Sequence, residues 1–337
     1  MIFISVWWRS PMKKFCLYAV AVVLIPVQAN AAPAFQCDGA TDISPQLNQA
    51  INSLPSGGSV LLPRGKVCAL RSRVNVKRSG IKLRGASTTF LRLGESSGLM
   101  VTGNNNSFSG FTIDGAKACN IPEKACKGSG IAVLGSGNQF DNVAAINNQG
   151  HGIMFDGQRS RCSHNVLRSS RFSNNRLIGI SQHTCTYNRI LNNRSTGNGA
   201  EGITADHKSD HATISGNILS GNVTRGGVGA IGIDYVDGVT VTGNRIGPNV
   251  KAVPAIRTQN NEGPSRNLRI EGNVADANPA GCIDLKTGRG GPTSKSQILN
   301  NRCSGSRITL GSGSQGNIVK GNDGPTLHMD TGPAKRH

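Results

Sequence analysis

The sequence predicts an all-β fold, a parallel β-helix of about nine rungs entered through an N-terminal capping helix. Three observations lead there. The 337 residues carry 44 glycines, 4% aromatics and 36% hydrophobics, so the core has to be assembled from many small aliphatic contributions, unlike that of an ordinary helical or α/β domain. Between residues 107 and 323 one phrase recurs: SFSGFTID, NQFDNVAAI, HNVLRSSRF, YNRILNNRS, HATISGNIL, VTVTGNRI, LRIEGNVA, SQILNNRC, GNIVKGND. Its small or Asn position falls at Gly110, Asn142, Ser169, Asn192, Gly216, Gly243, Gly272, Asn300 and Gly321, spaced 21 to 32 residues apart. A second phrase, usually Gly or Ala before Ile, lies between these positions at Ile131, Ile153, Ile180, Ile203, Ile233, Ile256, Ile283 and Ile308. Each repeat therefore holds at least two short strands separated by turns rich in Gly, Asn and Ser. Long amphipathic helical patterns are absent from this region, which excludes the helical solenoids of similar period.

The elements follow in order. Met12-Lys13-Lys14, the apolar run Phe15 to Val27 and the small-x-small end Ala29-Asn30-Ala31 form the pattern of a secretory signal peptide over residues 1–31, with cleavage expected after Ala31. The apolar run is too short to span a membrane comfortably, so no membrane association is expected after cleavage. Residues 32–80 are read as the N-terminal cap and first strands. Within them DISPQLNQAINSL predicts a helix with Ser44 as N-cap, Pro45 at its first position, and Leu47, Ala50, Ile51 and Leu54 on one face. That face should plug the open end of the solenoid. Residues 81–323 form the β-helix proper, and the Gly/Pro-rich tail 324–337 is expected to be disordered.

Nine cysteines occur, and Cys16 lies in the signal, which leaves an even number for an oxidising compartment, periplasmic or extracellular. The local pairings Cys37–Cys68, Cys119–Cys126, Cys162–Cys185 and Cys282–Cys303 are expected among about 105 possible connectivities. The last two spacings, 23 and 21 residues, each equal one rung, so both pairs should staple neighbouring coils. No CxxC pair occurs and the Cys/His spacings match no zinc site. No metal ligand set or cofactor is read, and a calcium ion bridging substrate carboxylates is left unassigned.

Lys and Arg number 37 against 18 acids, a formal net charge of +19, which attracts polyanions. Few aromatic platforms are present for stacking bases, so the expected partner is an acidic polysaccharide and not a nucleic acid. The oligomeric state is not legible. If the second-phrase Ile points inward, positions one and three after it point outward, and rungs about 4.8 Å apart stack them into two columns. The first reads Met154, Ser181, Thr204, Asp234, Arg257, Asp284; the second reads Asp156, His183, Asp206, Val236, Gln259, Lys286. His207, Lys208 and His211 flank them in the next turn, and five of seven histidines fall between 151 and 211. The face they form is the candidate groove.

The entry CDGATDISPQLNQAINSLPSGGSVLLPRGKV resembles the start of right-handed, single-stranded β-helix proteins of the pectate lyase-like superfamily, a resemblance covering nearly all of the mature chain. EGITADH is similar to the D-G-F-V-A-D run of mannuronan C5-epimerases, and IGISQH one rung earlier stands where that family has Y-G-F-D-P-H. His183 then matches the family's histidine and Asp206 the aspartate of the following rung. Ile178 and Ser181 stand where the family has its tyrosine and catalytic aspartate.

The resemblance implies lyase or C5-epimerase chemistry on a uronate polymer, in which a base removes the C5 proton while the adjacent carboxylate is neutralised. An imidazole titrating near neutrality suits the base. We expect His183, Asp206 and His207 to be catalytic, with Asp206 orienting His183, and Lys208, Asp234, Arg257, Asp284 and Lys286 to bind substrate. One alternative is inverting glycoside hydrolysis of the polygalacturonase type, since GIDYVDG faintly resembles that family's G-I-D segments and Asp206 and Asp234 would lie about 8 Å apart. Another is a non-catalytic exopolysaccharide-binding or assembly protein.

Overall fold

Each turn of the chain is set by a corner that few side chains tolerate. In one rung, strand Val166–Arg168 meets strand Arg171–Ser173 across Ser169, whose φ is 51°. The equivalent residues of the other rungs are Gly110, Asn142, Asn192, Gly216, Gly243, Gly272, Asn300 and Gly321, with φ between 50° and 72°. This is the recurring small or Asn position of the sequence, and its chemistry follows, since Gly and Asn enter the left-handed region at least cost.

The computed structural model describes residues 35–328, apart from 93, 95–96, 116–127, 159, 277 and 279, and these fall within one unit, Pro33–His337. It is a parallel β-solenoid with a 19-stranded sheet, which takes two strands per turn on either side of the corner, and an 11-stranded sheet that takes one. The solenoid therefore makes about eleven turns, not nine. The first two strands of the 11-stranded sheet, Val74–Val76 and Leu99–Val101, lie ahead of the recurring phrases, and Thr326–His328 adds the last. That final strand pairs with Ile308–Leu310 inside the segment expected to be disordered. Parallel pairing also begins before residue 81, with Asp38 opposite Val67.

The helix Ser44–Ser53 buries Ser44, Leu47 and Ile51, and Ala50 and Leu54 pack against the core. Its N-cap is Ile43 and not Ser44, because Asp42 Oδ1 accepts from both the Ser44 amide at 3.0 Å and the Ser44 hydroxyl at 2.6 Å. Disulfides Cys37–Cys68, Cys162–Cys185 and Cys282–Cys303 are formed. Cys119–Cys126 and the signal segment lie outside the described residues.

The interior is a stack of aliphatic and Phe side chains, including Phe90, Phe108, Phe140 and Phe155, all fully buried. Asparagines close the turns from within. Asn193, Asn217, Asn244, Asn273 and Asn301 each donate from Nδ2 to the Oδ1 of the next asparagine in the series at 2.9 to 3.1 Å, ending on Asn322. Such ladders satisfy buried amides that would otherwise cost about 1–3 kcal/mol each, and they account for much of the Asn content.

In the 11-stranded sheet Ile131, Ile153, Ile180, Ile203, Ile231, Ile256, Ile283 and Ile308 are successive register partners. The inward anchor of the seventh strand, Ile231–Asp234, is therefore Ile231; Ile233 pairs with Ala205. The two-residue shift keeps the inward and outward faces but moves Asp234 into the second column, directly beside Asp206. Val236, expected in that column, is buried.

Candidate active site

The outer face of strands Ile180–His183, Ile203–Asp206 and Ile231–Asp234 carries a cluster of imidazoles and carboxyls. Alternation sends His183, Asp206 and Asp234 outward, and pairing places His183 beside Asp206 and Asp206 beside Asp234. Neighbouring strands lie about 4.8 Å apart, so the separation on which inverting hydrolysis rested does not hold. The face is also less open than alternation alone implies: Ser181, Thr204 and Asp234 are buried.

Part of that cover is Glu201, which the sequence reading passed over. It is buried and its Oε1 accepts the Val228 amide at 2.8 Å, from the glycine-rich loop before the next strand. A Cβ at Gly232 would come within 3.2 Å of Glu201 Cγ, so glycine at that outward position makes room for the acid. Three acidic side chains thus meet at one place. Burial, then the Glu201 charge and that of Asp234, push the Asp206 carboxyl up to about 8. Burial likewise raises Glu201. Asp234 is held by Asn261, whose backbone and side-chain amides donate to its two oxygens at 2.8 and 2.9 Å.

His183 lies on the other flank. Burial, reinforced by His207, lowers its pKa below the ordinary imidazole range, although Asp156 and Glu262 oppose this. Gln158 Nε2, a donor only, lies 3.3 Å from His183 Nε2, and Thr184 Oγ1 lies 3.1 Å from its Nδ1. These partners assign the proton to Nδ1 and make Nε2 the acceptor from Gln158. Thr184 and Gln158, not Asp206, therefore orient the imidazole. His207 packs against His183 with the rings tilted by 32° and their centroids 4.2 Å apart, and its Nε2 is 2.9 Å from Glu262 Oε1, a partner 55 residues away that no local pattern indicates.

The remaining expected residues are distributed elsewhere. His207 and Lys208 both have positive φ, 51° and 64°, and this tight turn carries the Lys208 ammonium over the Tyr235 ring, 5.4 Å from its centroid. Lys208 lines a separate depression with Tyr235 and Arg266. Arg257, Asp284 and Lys286 line another cavity farther along the same face. His211 belongs to a different feature, a stack with Tyr187 and His164 at centroid distances of 4.7 and 5.0 Å.

The architecture is a parallel β-helix, the pectate lyase-like fold. The sequence profile of NosD, described as a periplasmic copper-binding protein, matches residues 64–262, more than half of the chain, which therefore belongs to the NosD family. No curated protein matches it in sequence. Among solved structures it is similar to the alginate lyase from Paenibacillus sp. str. FPU-7, with 16% identity, 85% of this chain and 95% of that one covered, and a TM-score of 0.57. It is also similar to DFA-IIIase from Arthrobacter chlorophenolicus A6 in complex with GF2, with 13% identity, 90% and 87% covered, TM-score 0.61. A third is the hyperthermoactive exopolygalacturonase from Thermotoga maritima, with 14% identity, 88% and 90% covered, TM-score 0.59. At these identities the likeness is one of fold.

The family description raises copper, and the described residues do not fit it. Among them no group of three or more His, Cys, Asp or Glu side chains is placed to hold a metal ion. Their cysteines are paired in disulfides, and His207 Nε2 is committed to Glu262.

Proposed function

We propose that the protein is an exported enzyme that acts on a uronate-containing polysaccharide by abstracting the C5 proton, as a lyase or a C5-epimerase. The observation that carries this reading is the pairing of His183 with Asp206 on neighbouring strands, the first depressed in pKa and the second raised to about 8. At neutral pH that pair is a free base beside a protonated acid. C5 is acidified by its own carboxylate only when that carboxylate's charge is offset, and a neutral carboxylic acid donates a hydrogen bond to it where an ionised one would repel it.

In this reading His183 Nε2, released from Gln158, takes the C5 proton. Asp206 donates to the substrate carboxylate and stabilises the charge that develops there. In elimination the C5–H electron pair forms the C4–C5 double bond, the C4–O4 bond breaks, and His207, once its Nε2 leaves Glu262, delivers a proton to the departing oxygen. In epimerisation a proton returns to C5 from the opposite face. Asp234 sustains the protonated state of Asp206.

Three further facts support the reading. The net charge of +19 suits an acidic polymer. The similar folds named alginate lyase and exopolygalacturonase are named for action on such polymers. The disulfides and the family's periplasmic description suit export, and among the described residues no helix is long and apolar enough to cross a membrane. Incubation with a panel of acidic polysaccharides, followed by ultraviolet absorbance for unsaturated ends, reducing sugar and C5 configuration, tests it. Unsaturation or inversion is expected. Reducing ends without either would indicate hydrolysis instead, and no change on any polymer would reject the enzyme reading.

A further inference from the structure

Farther along the same outer face, the first outward column continues as Arg257, Asp284, Thr309 and Leu327, each in register with the next. With Lys286 and Arg307 these side chains line a cavity of about 540 Å³. Its charge is unbalanced. Arg257 Nε lies 3.1 Å from Asp284 Oδ2, both side chains being largely buried, so the one acid of the cavity already has a cation. Lys286 and Arg307 also face Asp284, but neither forms an ion pair within hydrogen-bonding range among the described residues. Three cations thus surround one carboxylate, and an open, partly apolar space lies between them.

The backbone that carries the cavity wall is cross-linked. Arg307 and Asp284 sit on successive rungs that the Cys282–Cys303 disulfide joins, and the Cys282 amide donates to the Arg307 carbonyl at 2.9 Å. A backbone held in this way carries part of its ordering cost before any ligand arrives, and a guanidinium presents paired donors matched to a carboxylate.

Resting on the reading of the site given above, we propose that this cavity is a distal subsite for the carboxylate of a second uronate unit, which makes the interior of a charged chain, and not a short fragment, the preferred ligand. The rungs of Asp206 and Asp284 are three apart, about 14 Å along the solenoid axis, too far for one sugar unit to reach both. Arg307 and Lys286 receive the incoming carboxylate, Arg257 stays with Asp284, and Leu327, exposed at the far edge, offers an apolar surface to a sugar ring.

Titration calorimetry on the mature protein with disaccharides and hexasaccharides of mannuronate and of galacturonate tests this, together with carboxyl-reduced hexasaccharides. The parent should bind at least one charged hexasaccharide about tenfold or more tightly than its disaccharide. Arg307→Gln and Lys286→Gln should each remove most of that advantage, and the reduced hexasaccharide should lack it. Both side chains are exposed, so unchanged melting of the variants is expected and verifies their folding. Equal hexasaccharide affinity in parent and both variants, or no length dependence in either series, would overturn the subsite. If the length dependence and its loss in Arg307→Gln are seen but no polymer is turned over, the subsite stands and the proton-abstraction chemistry falls.

Discussion

His183 and Asp206 are register partners on neighbouring strands of the 11-stranded sheet, yet no hydrogen bond joins their side chains: the imidazole is held by Thr184 and Gln158, and the carboxyl lies with Glu201 and Asp234. Two groups with opposed pKa shifts are thus held side by side without neutralising each other. That is the arrangement expected of an acid and base assigned to separate tasks on one substrate.

The first expectation is kinetic. Asp206→Asn should lower turnover by a factor of about a hundred or more, since the amide cannot lend a proton to the developing charge. His183→Ala should cost about as much. The double variant should be little worse than either, because groups serving one transition state are strongly non-additive. Asp210→Asn, at a side chain that accepts the Asp237 amide away from this cluster, should have a far smaller effect. Steady-state rates on the polymer found in the substrate screen decide this, and full activity in Asp206→Asn would remove Asp206 from the chemistry.

The same carboxyl makes a thermodynamic prediction. With a folded pKa of about 8 against an unfolded value of 3.8, the native state binds the extra proton between those limits, so stability is greatest below the unfolded pKa and falls as pH rises toward 8. Replacing the acid with an amide removes that loss. Asp206→Asn should therefore melt above the parent at pH 8, by about 2 °C or more, and close to it at pH 4. A melting difference that does not vary with pH would contradict the raised pKa.

Glu201 gives a third. Its charge is one of the causes that raise Asp206, so Glu201→Gln should let Asp206 ionise more readily. The alkaline limb of the pH–rate profile, expected to start near 8 in the parent, should move to lower pH in the variant while the acidic limb set by His183 stays in place. An alkaline limb at the same pH in both proteins would assign it to another group.

The pattern of small and Asn residues from Gly110 to Gly321 was legible because a left-handed corner permits few alternatives, and it revealed the solenoid. The Cys162–Cys185 and Cys282–Cys303 staples followed from the same period. The rung spacing also placed His183 beside Asp206. The Asp234 register was not legible, because GAIGID offers Ile231 and Ile233 as anchors with identical inward character, and only pairing to Ile203 distinguishes them. Glu201 stands in EGITADH, but strand alternation points it inward; the turn before Ile203 swings it out, and the glycine at 232 that accommodates it lies one rung away. Lys208 is adjacent to His207 in sequence and turned away from it by backbone conformation. Glu262 comes from a loop whose path no local pattern sets.

The staples allow a fourth prediction. Removing the Cys162–Cys185 cross-link, which closes a span of 23 residues, should destabilise the protein by roughly 3 kcal/mol on a chain-entropy estimate. Chemical denaturation of the Cys162→Ala/Cys185→Ala variant measures it. An unchanged midpoint would mean that the rungs need no staple there.

The central claim is that the groove removes a proton from C5 of a uronate unit. Proton NMR in heavy water, following the polysaccharide panel with the mature protein and with its Asp206→Asn variant, tests this most directly. The expected result on at least one polymer is loss of the C5 proton signal, with either a new vinylic proton at C4 or an inverted, deuterated C5, and neither change with the variant. Chain cleavage with every C5 proton retained, or C5 signals that never change on any uronate polymer, would contradict it.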